Sequence, residues 1–212
     1  AAALANGTAT GRGGRGTIYV FAGGNGYDFH DTSNYDGYAN SIHTISIGAT
    51  DSLGARAYYA EPGSNVVVCA PSSGDLGITT VDRTGSNGYN TATSANGGDY
   101  TNDFGGTSSA TPSAAGVVAL MLEKNPNLGW RDVQEILIRS AYQFRPADAG
   151  WQNNAAGIHF HHDFGAGLID AQAAVTMAGA WTNLAAHTTT AVTAAGLPLS
   201  VPDNNATGIT RS

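Results

Sequence analysis

A serine at the predicted start of an apolar helix is the residue in this chain best placed to do chemistry. The stretch GGTSSATPSAAG, residues 105–116, puts Ser108 behind two glycines and a threonine, with Pro112 expected in the first helical turn, where proline is tolerated. Unpaired N–H groups and the helix dipole favour negative charge there. A serine becomes a nucleophile only with a base and with donors for the oxyanion. The stretch therefore predicts either a nucleophile or a Ser/Thr helix cap leading into the core.

A side-chain amide is the second candidate for chemistry. In VFAGGNGYD, residues 20–28, Asn25 comes directly after a predicted buried strand. Strand ends of α/β sheets usually present functional groups, so this amide could donate a hydrogen bond to an oxyanion. The alternative is an asparagine that simply adopts a left-handed turn between two glycines.

The elements that must position these residues alternate along the chain. Runs rich in β-branched residues predict strands, and the first and third runs are continuous enough to be central strands of a parallel sheet; the four runs are 17–22, 42–50, 65–70 and 77–81. Residues 82–105 are predicted to be a surface loop. Apolar periodicity predicts helices over 108–123, 130–141 and 168–178. Strands followed by helices predict an α/β domain.

Composition narrows the classes of function. With 212 residues, 42% of them apolar, the chain is long enough for one sizeable core. A net charge of -7 argues against binding nucleic acid, and no stretch is long and apolar enough for a membrane span.

The acidic loop NGYDFHDTSNYDGY, residues 25–38, suggests a site for a hard cation or a basic substrate. The single cysteine, Cys69, is expected in the core, with a reactive thiol as the alternative.

Several separated motifs resemble a known family. These are GRGGRGTIYVFAGGNG, YDGYANSIHTISIGA, GGTSSATPSAAGVVALMLEKNPNLGWRDVQEILI and HHDFGAGLIDAQAAV, which occur in this order between about residues 11 and 181. They resemble the C-terminal half of a subtilisin-like serine protease, in the kexin/furin branch of proprotein convertases. The resemblance implies a three-layer α/β fold with a parallel central sheet that is incomplete at its N-terminus.

The resemblance also divides the chain into two parts. Residues 1–181 would be the C-terminal part of the catalytic domain. Residues 182–212 would be a linker and the truncated beginning of a β-sandwich P-domain, because LSVPDNNATGI resembles the opening strand of that domain.

Roles carry over from the family to matching positions. Ser108 would be the nucleophile, and Asn25 the oxyanion donor. Asp36 would face the guanidinium of the substrate residue before the scissile bond, a charge-assisted pairing that explains a preference for basic residues. The remaining substrate contacts would come from Ala22, Gly23, Gly24 and Thr107, with Gly23 standing where the family often has Ser.

The family also implies calcium. Asp31 and Glu61 match oxygen ligands of a calcium ion beneath the pocket for the basic side chain. Calcium takes six to eight oxygens, so two carboxylates would be only part of its shell. The alternative for each acid is an ordinary solvated loop charge.

The family's other two catalytic residues have no match here. Their motifs, Asp-[Ser/Thr]-Gly and His-Gly-Thr, do not occur in the sequence, and both are expected upstream of Ala1. His30 and His43 are expected to be structural. The group His159, His161 and His162 resembles a metal site, but it overlaps a structural segment of the family, which is the favoured interpretation.

The resemblance therefore implies a piece of a secreted or periplasmic endoprotease that cleaves peptide or protein substrates after basic residues. It would need the N-terminal half of its catalytic domain, be inactive alone, and be poorly soluble because apolar sheet edges are exposed. The alternative is a non-catalytic binding or scaffold module derived from a protease.

Overall fold

A three-stranded parallel sheet forms the centre of the molecule. The computed structural model describes residues 2–92 and 98–188. The strands are β1 (Val20–Ala22), β2 (Ile45–Thr50) and β3 (Val66–Pro71), in the order β1-β2-β3. Both pairings, β1 with β2 and β2 with β3, are parallel, so the three strands run in the same direction and the loops after β1 and β3 lie at one end of the sheet.

The described part of the chain has four α-helices: α1 (Ala2–Gly14), α2 (Thr107–Lys124), α3 (Trp130–Ser140) and α4 (Ala171–Gly179). Helix α2 packs across all three strands and against α4, and α3 packs against α4 and β3. The predicted inward face of α3 is confirmed, because its four members are buried: Val133, Ile136, Leu137 and Ser140. The predicted α/β class with a parallel sheet is confirmed.

The middle strand of the described sheet is not one of the two strands predicted to be central. The central strand is β2, all of whose residues are buried, whereas β1 lies at an edge of the described sheet and is half-buried. Strand β3 has its other side covered by bridges from Val68 to Gly165 and from Cys69 to Leu168. Continuous apolar residues in β1 and β3 therefore did not mark the centre of the sheet.

The predicted surface loop 82–105 contains a strand. Residues Tyr100–Phe104 form β5, which pairs antiparallel with β4 (Ile78–Val81) as a separate two-stranded sheet. A second small sheet joins β6 (Gln152–Asn153) and β7 (His159–Phe160). Short 3-10 helices cover Tyr27–Phe29, Ser33–Tyr35 and Gly85–Asn87.

Proline in α2 lies deeper in the helix than predicted. Because α2 begins at Thr107, Pro112 is its sixth residue and stands in the second turn. Proline has no N–H, so the Ser108 carbonyl lacks the helical hydrogen bond that residue 112 would otherwise donate. The expectation that Pro112 needs no donor because it stands in the first turn was wrong.

The segment after α4 is bound to the domain. The Asp132 carboxylate, 3% exposed, accepts hydrogen bonds from Trp181 Nε1 at 3.0 Å and from Leu184 N at 2.7 Å. Residues 181–188 therefore run along the start of α3. The predicted P-domain strand lies outside the described residues. None of the helices in the described part of the chain is long and apolar enough to cross a membrane.

Candidate active site

The predicted nucleophile stands at the exposed start of α2. Ser108 is the second residue of the helix and is exposed to solvent. The residue before the helix, Gly106, has φ 76° and ψ 173°, a conformation that only glycine adopts readily. The hydroxyls of Ser109 and Thr111 donate to the backbone carbonyls of Gly106 and Thr107, respectively. By contrast, no group within the described residues forms a hydrogen bond with the Ser108 hydroxyl.

Asn25 lies against this turn, although 83 positions separate it from Ser108 in the sequence. Its Oδ1 accepts hydrogen bonds from Thr107 N at 2.8 Å and from Thr107 Oγ1 at 2.9 Å. A backbone N–H can only donate, so the atom facing Thr107 must be the amide oxygen. Within residues 2–92 and 98–188, the two protons on Asn25 Nδ2 have no acceptor.

A backbone N–H joins this free amide as a donor. Thr107 N–H is bonded to Asn25, and Ser109 N–H is bonded to the Gly106 carbonyl at 3.1 Å. The N–H of Ser108 lies between them in the first helical turn, where no intrahelical acceptor exists. Ser108 N–H and Asn25 Nδ2 are therefore two donors without a hydrogen-bond acceptor among the described residues.

The structure gives Thr107 a different place from the one expected. Its side chain is 0% exposed and bonds Asn25, while its Oγ1 accepts a hydrogen bond from Gly24 N at 3.3 Å. A side chain without exposed surface cannot touch a substrate. Thr107 ties the loop after β1 to the start of α2.

A network of hydroxyls holds the same turn from the other side. Ser72, at the end of β3, donates to the Gly106 carbonyl at 2.6 Å and lies 2.6 Å from Ser109 Oγ. Tyr59 OH lies 2.7 Å from Ser72 Oγ and 3.0 Å from Ser73 Oγ, which accepts from Gly106 N. Sequence reasoning missed these residues. The signal that could have found them is a pair of serines directly after a buried strand.

A buried carboxylate lies beneath the loop that carries Asn25. Glu61 is 7% exposed, and its Oε1 accepts from Gly26 N at 2.7 Å. Gly24 has φ 114°, and a Cβ there would collide with this carboxylate, so glycine is required twice over. Burial raises the pKa of Glu61, the Gly26 N–H opposes that rise, and the charges of Asp31 and Asp36 add to it.

The predicted acids share this region. Asp31 Oδ2 and Glu61 Oε1 lie 3.3 Å and 3.0 Å from the point where a Cβ on Gly26 would stand. Asp36 is exposed, and its Oδ1 accepts from Tyr38 N at 2.7 Å and from Ala39 N at 2.9 Å. These bonds fix the carboxylate and leave Oδ2 for another partner.

The end of β1 packs closely against β2. Gly23 is buried and donates to the Ile47 carbonyl at 2.9 Å, and a Cβ on it would stand 3.0 Å from that oxygen. Ala22, which ends β1, is half-buried. A side chain at position 23 would therefore press against the backbone of β2.

Two of the histidines, His43 and His161, are held by hydrogen bonds within the fold, whereas His30 and His162 are exposed. His43 stands in the turn before β2, not within the strand as predicted, and its Nδ1 lies 2.8 Å from Thr8 Oγ1. His161 Nδ1 accepts from Asp163 N at 3.0 Å, so its Nε2 carries the proton and faces Asp148 at 3.3 Å. Cys69 is wholly buried, as predicted, and burial raises the pKa of its thiol.

Within residues 2–92 and 98–188, no group of three or more His, Cys, Asp or Glu side chains is arranged to hold a metal. The pair Asp31 and Glu61 nevertheless fits a hard cation. Glu61 has one hydrogen-bond donor in this part of the chain, and a second acid stands beside it. Oxygen donors of this kind are those that calcium takes.

Comparison with known proteins identifies the family. The model of the subtilase family, Peptidase S8, matches residues 1–167. Kexin of Saccharomyces cerevisiae is 43% identical over 187 residues, which cover 88% of this chain and 22% of kexin. The dibasic-processing endoprotease of Yarrowia lipolytica is 41% identical over 180 residues, 84% of this chain and 18% of that protein. Proprotein convertase subtilisin/kexin type 7 of Mus musculus is 41% identical over 183 residues, 86% and 23% respectively.

Solved structures agree with the sequence comparison. The serine protease of Aeromonas sobria superposes with a TM-score of 0.79 at 26% identity, covering 87% of this chain and 40% of that one. Fervidolysin of Fervidobacterium pennivorans gives a TM-score of 0.58 at 26% identity, covering 82% and 23%. The chain spans about a fifth of the length of the curated relatives that it matches. The predicted relationship is confirmed: the chain belongs to the subtilase family and resembles its kexin-type members.

Proposed function

We propose that this chain is part of a kexin-type serine endopeptidase in which Ser108 is the nucleophile. The observation that carries the proposal is the contact between Asn25 and the turn before Ser108, because it leaves Nδ2 free beside the serine. Ser108 Oγ would attack the carbonyl carbon of the scissile peptide. The oxygen that becomes negative would accept hydrogen bonds from Asn25 Nδ2 and Ser108 N–H.

The proton of Ser108 needs a base, which we propose is supplied by another segment of the full-length protein. A cavity beside α2 supports this proposal. A cavity of about 300 Å³ lies between the end of α1, the edge strand β1 and α2, and its walls are mainly apolar. Its lining residues are Arg12, Thr17, Ile18, Val20, Ala115, Val118, Ala119 and Leu122. An edge strand with an apolar neighbour is a surface that needs a partner.

For the substrate, we propose a peptide or protein with a basic residue before the cleaved bond. Asp36 is exposed, its Oδ1 is fixed by two N–H groups, and its Oδ2 is available for a guanidinium. Two more acids, Asp31 and Glu61, add negative charge nearby. Ala22, Gly23 and Gly24 would form a wall of the pocket by their backbone. The name of the Yarrowia lipolytica relative states dibasic processing, which agrees with this charge pattern.

We further propose that Asp31 and Glu61 hold part of a calcium site. A bound calcium ion would neutralise the buried carboxylate and brace the loop that carries Asn25. Further oxygens would complete the shell, since calcium takes six to eight. Weak sites of this kind suit extracellular modules, which fits a secreted or periplasmic location.

Peptide cleavage by the full-length protein tests the proposal. The substrate should be a peptide series that differs only in having Arg, Lys or Ala before the scissile bond. We expect cleavage after Arg and Lys, no cleavage after Ala, and complete loss in Ser108→Ala. The variant Asp36→Asn should raise KM for the Arg peptide because the charge pairing is lost. A folded full-length protein that binds the Arg peptide without cleaving it would instead indicate a binding or scaffold module.

A further inference from the structure

We infer that Ser72 is a positioning residue, which orients the oxyanion donor Asn25 by clamping the peptide bond between Gly106 and Thr107. This inference rests on the proposed function of Ser108. The peptide unit is held at both of its polar atoms: its carbonyl accepts from Ser72 Oγ at 2.6 Å, and its N–H donates to Asn25 Oδ1 at 2.8 Å.

The peptide plane couples the two contacts. A trans peptide is planar, so its C=O and N–H point in opposite directions and turn together. Ser72 fixes the direction of the Gly106 carbonyl and thereby the direction of the Thr107 N–H. The N–H in turn decides which end of the Asn25 amide faces α2. The free Nδ2 beside Ser108 is therefore set by a hydroxyl on the far side of the peptide.

The clamp matters because the turn has little restraint of its own. Gly106 has φ 76° and the backbone freedom of glycine, so its own conformation does not fix the direction of its carbonyl. Ser109 Oγ also donates to the Gly106 carbonyl at 3.1 Å, but Ser109 belongs to α2 and moves with it. Ser72 stands at the end of β3 and thus fixes the turn relative to the sheet.

Tyr59 supports Ser72 in this role. Tyr59 OH contacts three oxygens: the Ser72 hydroxyl at 2.7 Å, the Ser73 carbonyl at 2.9 Å and the Ser73 hydroxyl at 3.0 Å. Donation from Tyr59 to Ser72 leaves the Ser72 proton for the Gly106 carbonyl at 2.6 Å. Tyr59 is 8% exposed and Ser72 is 4% exposed, so water does not compete for either hydroxyl. Hydrogen bonds in such a chain strengthen one another.

Kinetics of the full-length protein test this assignment. For Ser72→Ala we expect kcat to fall about tenfold, with KM changed less than about twofold, because orientation of a transition-state donor is lost while substrate contacts stay. The fold should hold, because Ser109 still donates to the carbonyl. Tyr59→Phe should give a smaller loss in the same direction. The matched control is Ser113→Ala, because the Ser113 hydroxyl donates to the Ser109 carbonyl of the same helix and to no other group among the described residues.

A double-mutant cycle separates positioning from a general structural role. If Ser72 acts through Asn25, then Ser72→Ala should cost almost nothing further in the Asn25→Ala background. Equal losses in both backgrounds, or a loss in KM alone, would overturn the inference. Unchanged kcat in both Ser72→Ala and Tyr59→Phe would also overturn it. If the full-length wild-type protein cleaves no peptide, the proposed function itself is contradicted. That result differs from failure of the Ser72 inference, in which the wild type is active.

Discussion

Asn25 is the residue whose geometry and proposed role agree most closely, because its oxygen accepts from Thr107 and its nitrogen has no acceptor in the part of the chain that the structure describes. We expect Asn25→Ala to lower kcat about 100-fold with KM nearly unchanged, since an oxyanion donor acts mainly in the transition state. Steady-state kinetics on an Arg peptide with the full-length protein would measure this.

Asn25→Asp provides the informative comparison. Aspartate keeps an oxygen for Thr107 N–H but has no N–H₂ group to donate, and it places negative charge next to the developing oxyanion. Its kcat should be at least as low as that of Asn25→Ala. Activity close to wild type in Asn25→Asp would show that the clamp on Thr107, and not the donor, is what matters.

Glu61 should make stability depend on pH and on calcium. Its raised pKa means that the folded protein binds the proton more tightly than the unfolded chain does. Without metal, the free energy of unfolding should therefore decrease as pH rises from 4.5, the ordinary value, through the raised pKa. Calcium should reverse this loss at neutral pH because it favours the charged carboxylate. Thermal melts across pH, with and without calcium, would measure both effects.

Glu61→Gln isolates the carboxylate. This variant should flatten the metal-free pH dependence in that window, melt higher than wild type without calcium at neutral pH, and lose the stabilisation by calcium. Asp75→Asn, at an exposed position, serves as the control and should behave like wild type. Equal stabilisation of Glu61→Gln and wild type by calcium would contradict the proposed site.

At the scale of elements, the turn into α2 depends on the unusual backbone of Gly106. Gly106→Ala should destabilise the protein by about 1–3 kcal/mol, because an L-residue is strained at that φ and ψ. It should also lower kcat, since the new Cβ would stand 3.2 Å from Asn25 Nδ2. Chemical denaturation and peptide kinetics would report the two effects separately.

Gly157→Ala is the matched control for this strain. Gly157 has φ 77°, nearly the same as Gly106, but a Cβ there meets nothing within 4 Å. It should lose stability without losing kcat. If Gly106→Ala and Gly157→Ala both keep full kcat, the conformation of the turn before α2 does not contribute to catalysis.

The elements also show what sequence can and cannot foretell. Helices α2 and α3 were predictable because local periodicity records which face is buried, as in Val133 and Leu137. Asn25 was predictable from its place after a strand, and its role from family motifs. Strand β5 was not predictable, because Tyr100–Phe104 is mostly polar and exposed and is held by pairing with a distant strand. The role of Ser72 was not predictable for the same reason, because its hydrogen-bond partners lie 13 to 37 positions away in the sequence.

At the scale of the whole molecule, the cavity between β1 and α2 is the expected contact for the segment that supplies the base. A charge in this mainly apolar surface should prevent that contact. We expect Ala119→Glu in the full-length protein to abolish activity and lower the melting temperature. Thr176→Glu, on the exposed side of α4, should leave both unchanged. Full activity in Ala119→Glu would mean that the partner segment packs elsewhere.

The most direct test of the central claim is labelling with a fluorophosphonate, followed by mass spectrometry to locate the adduct. Residues 1–212 alone should not be labelled, because no base reaches the Ser108 hydroxyl within the described residues. The full-length protein should be labelled at Ser108, and Ser108→Ala should not be labelled at all. Absence of label at Ser108 in the folded full-length protein, or label on another residue, would contradict the assignment of Ser108 as the nucleophile.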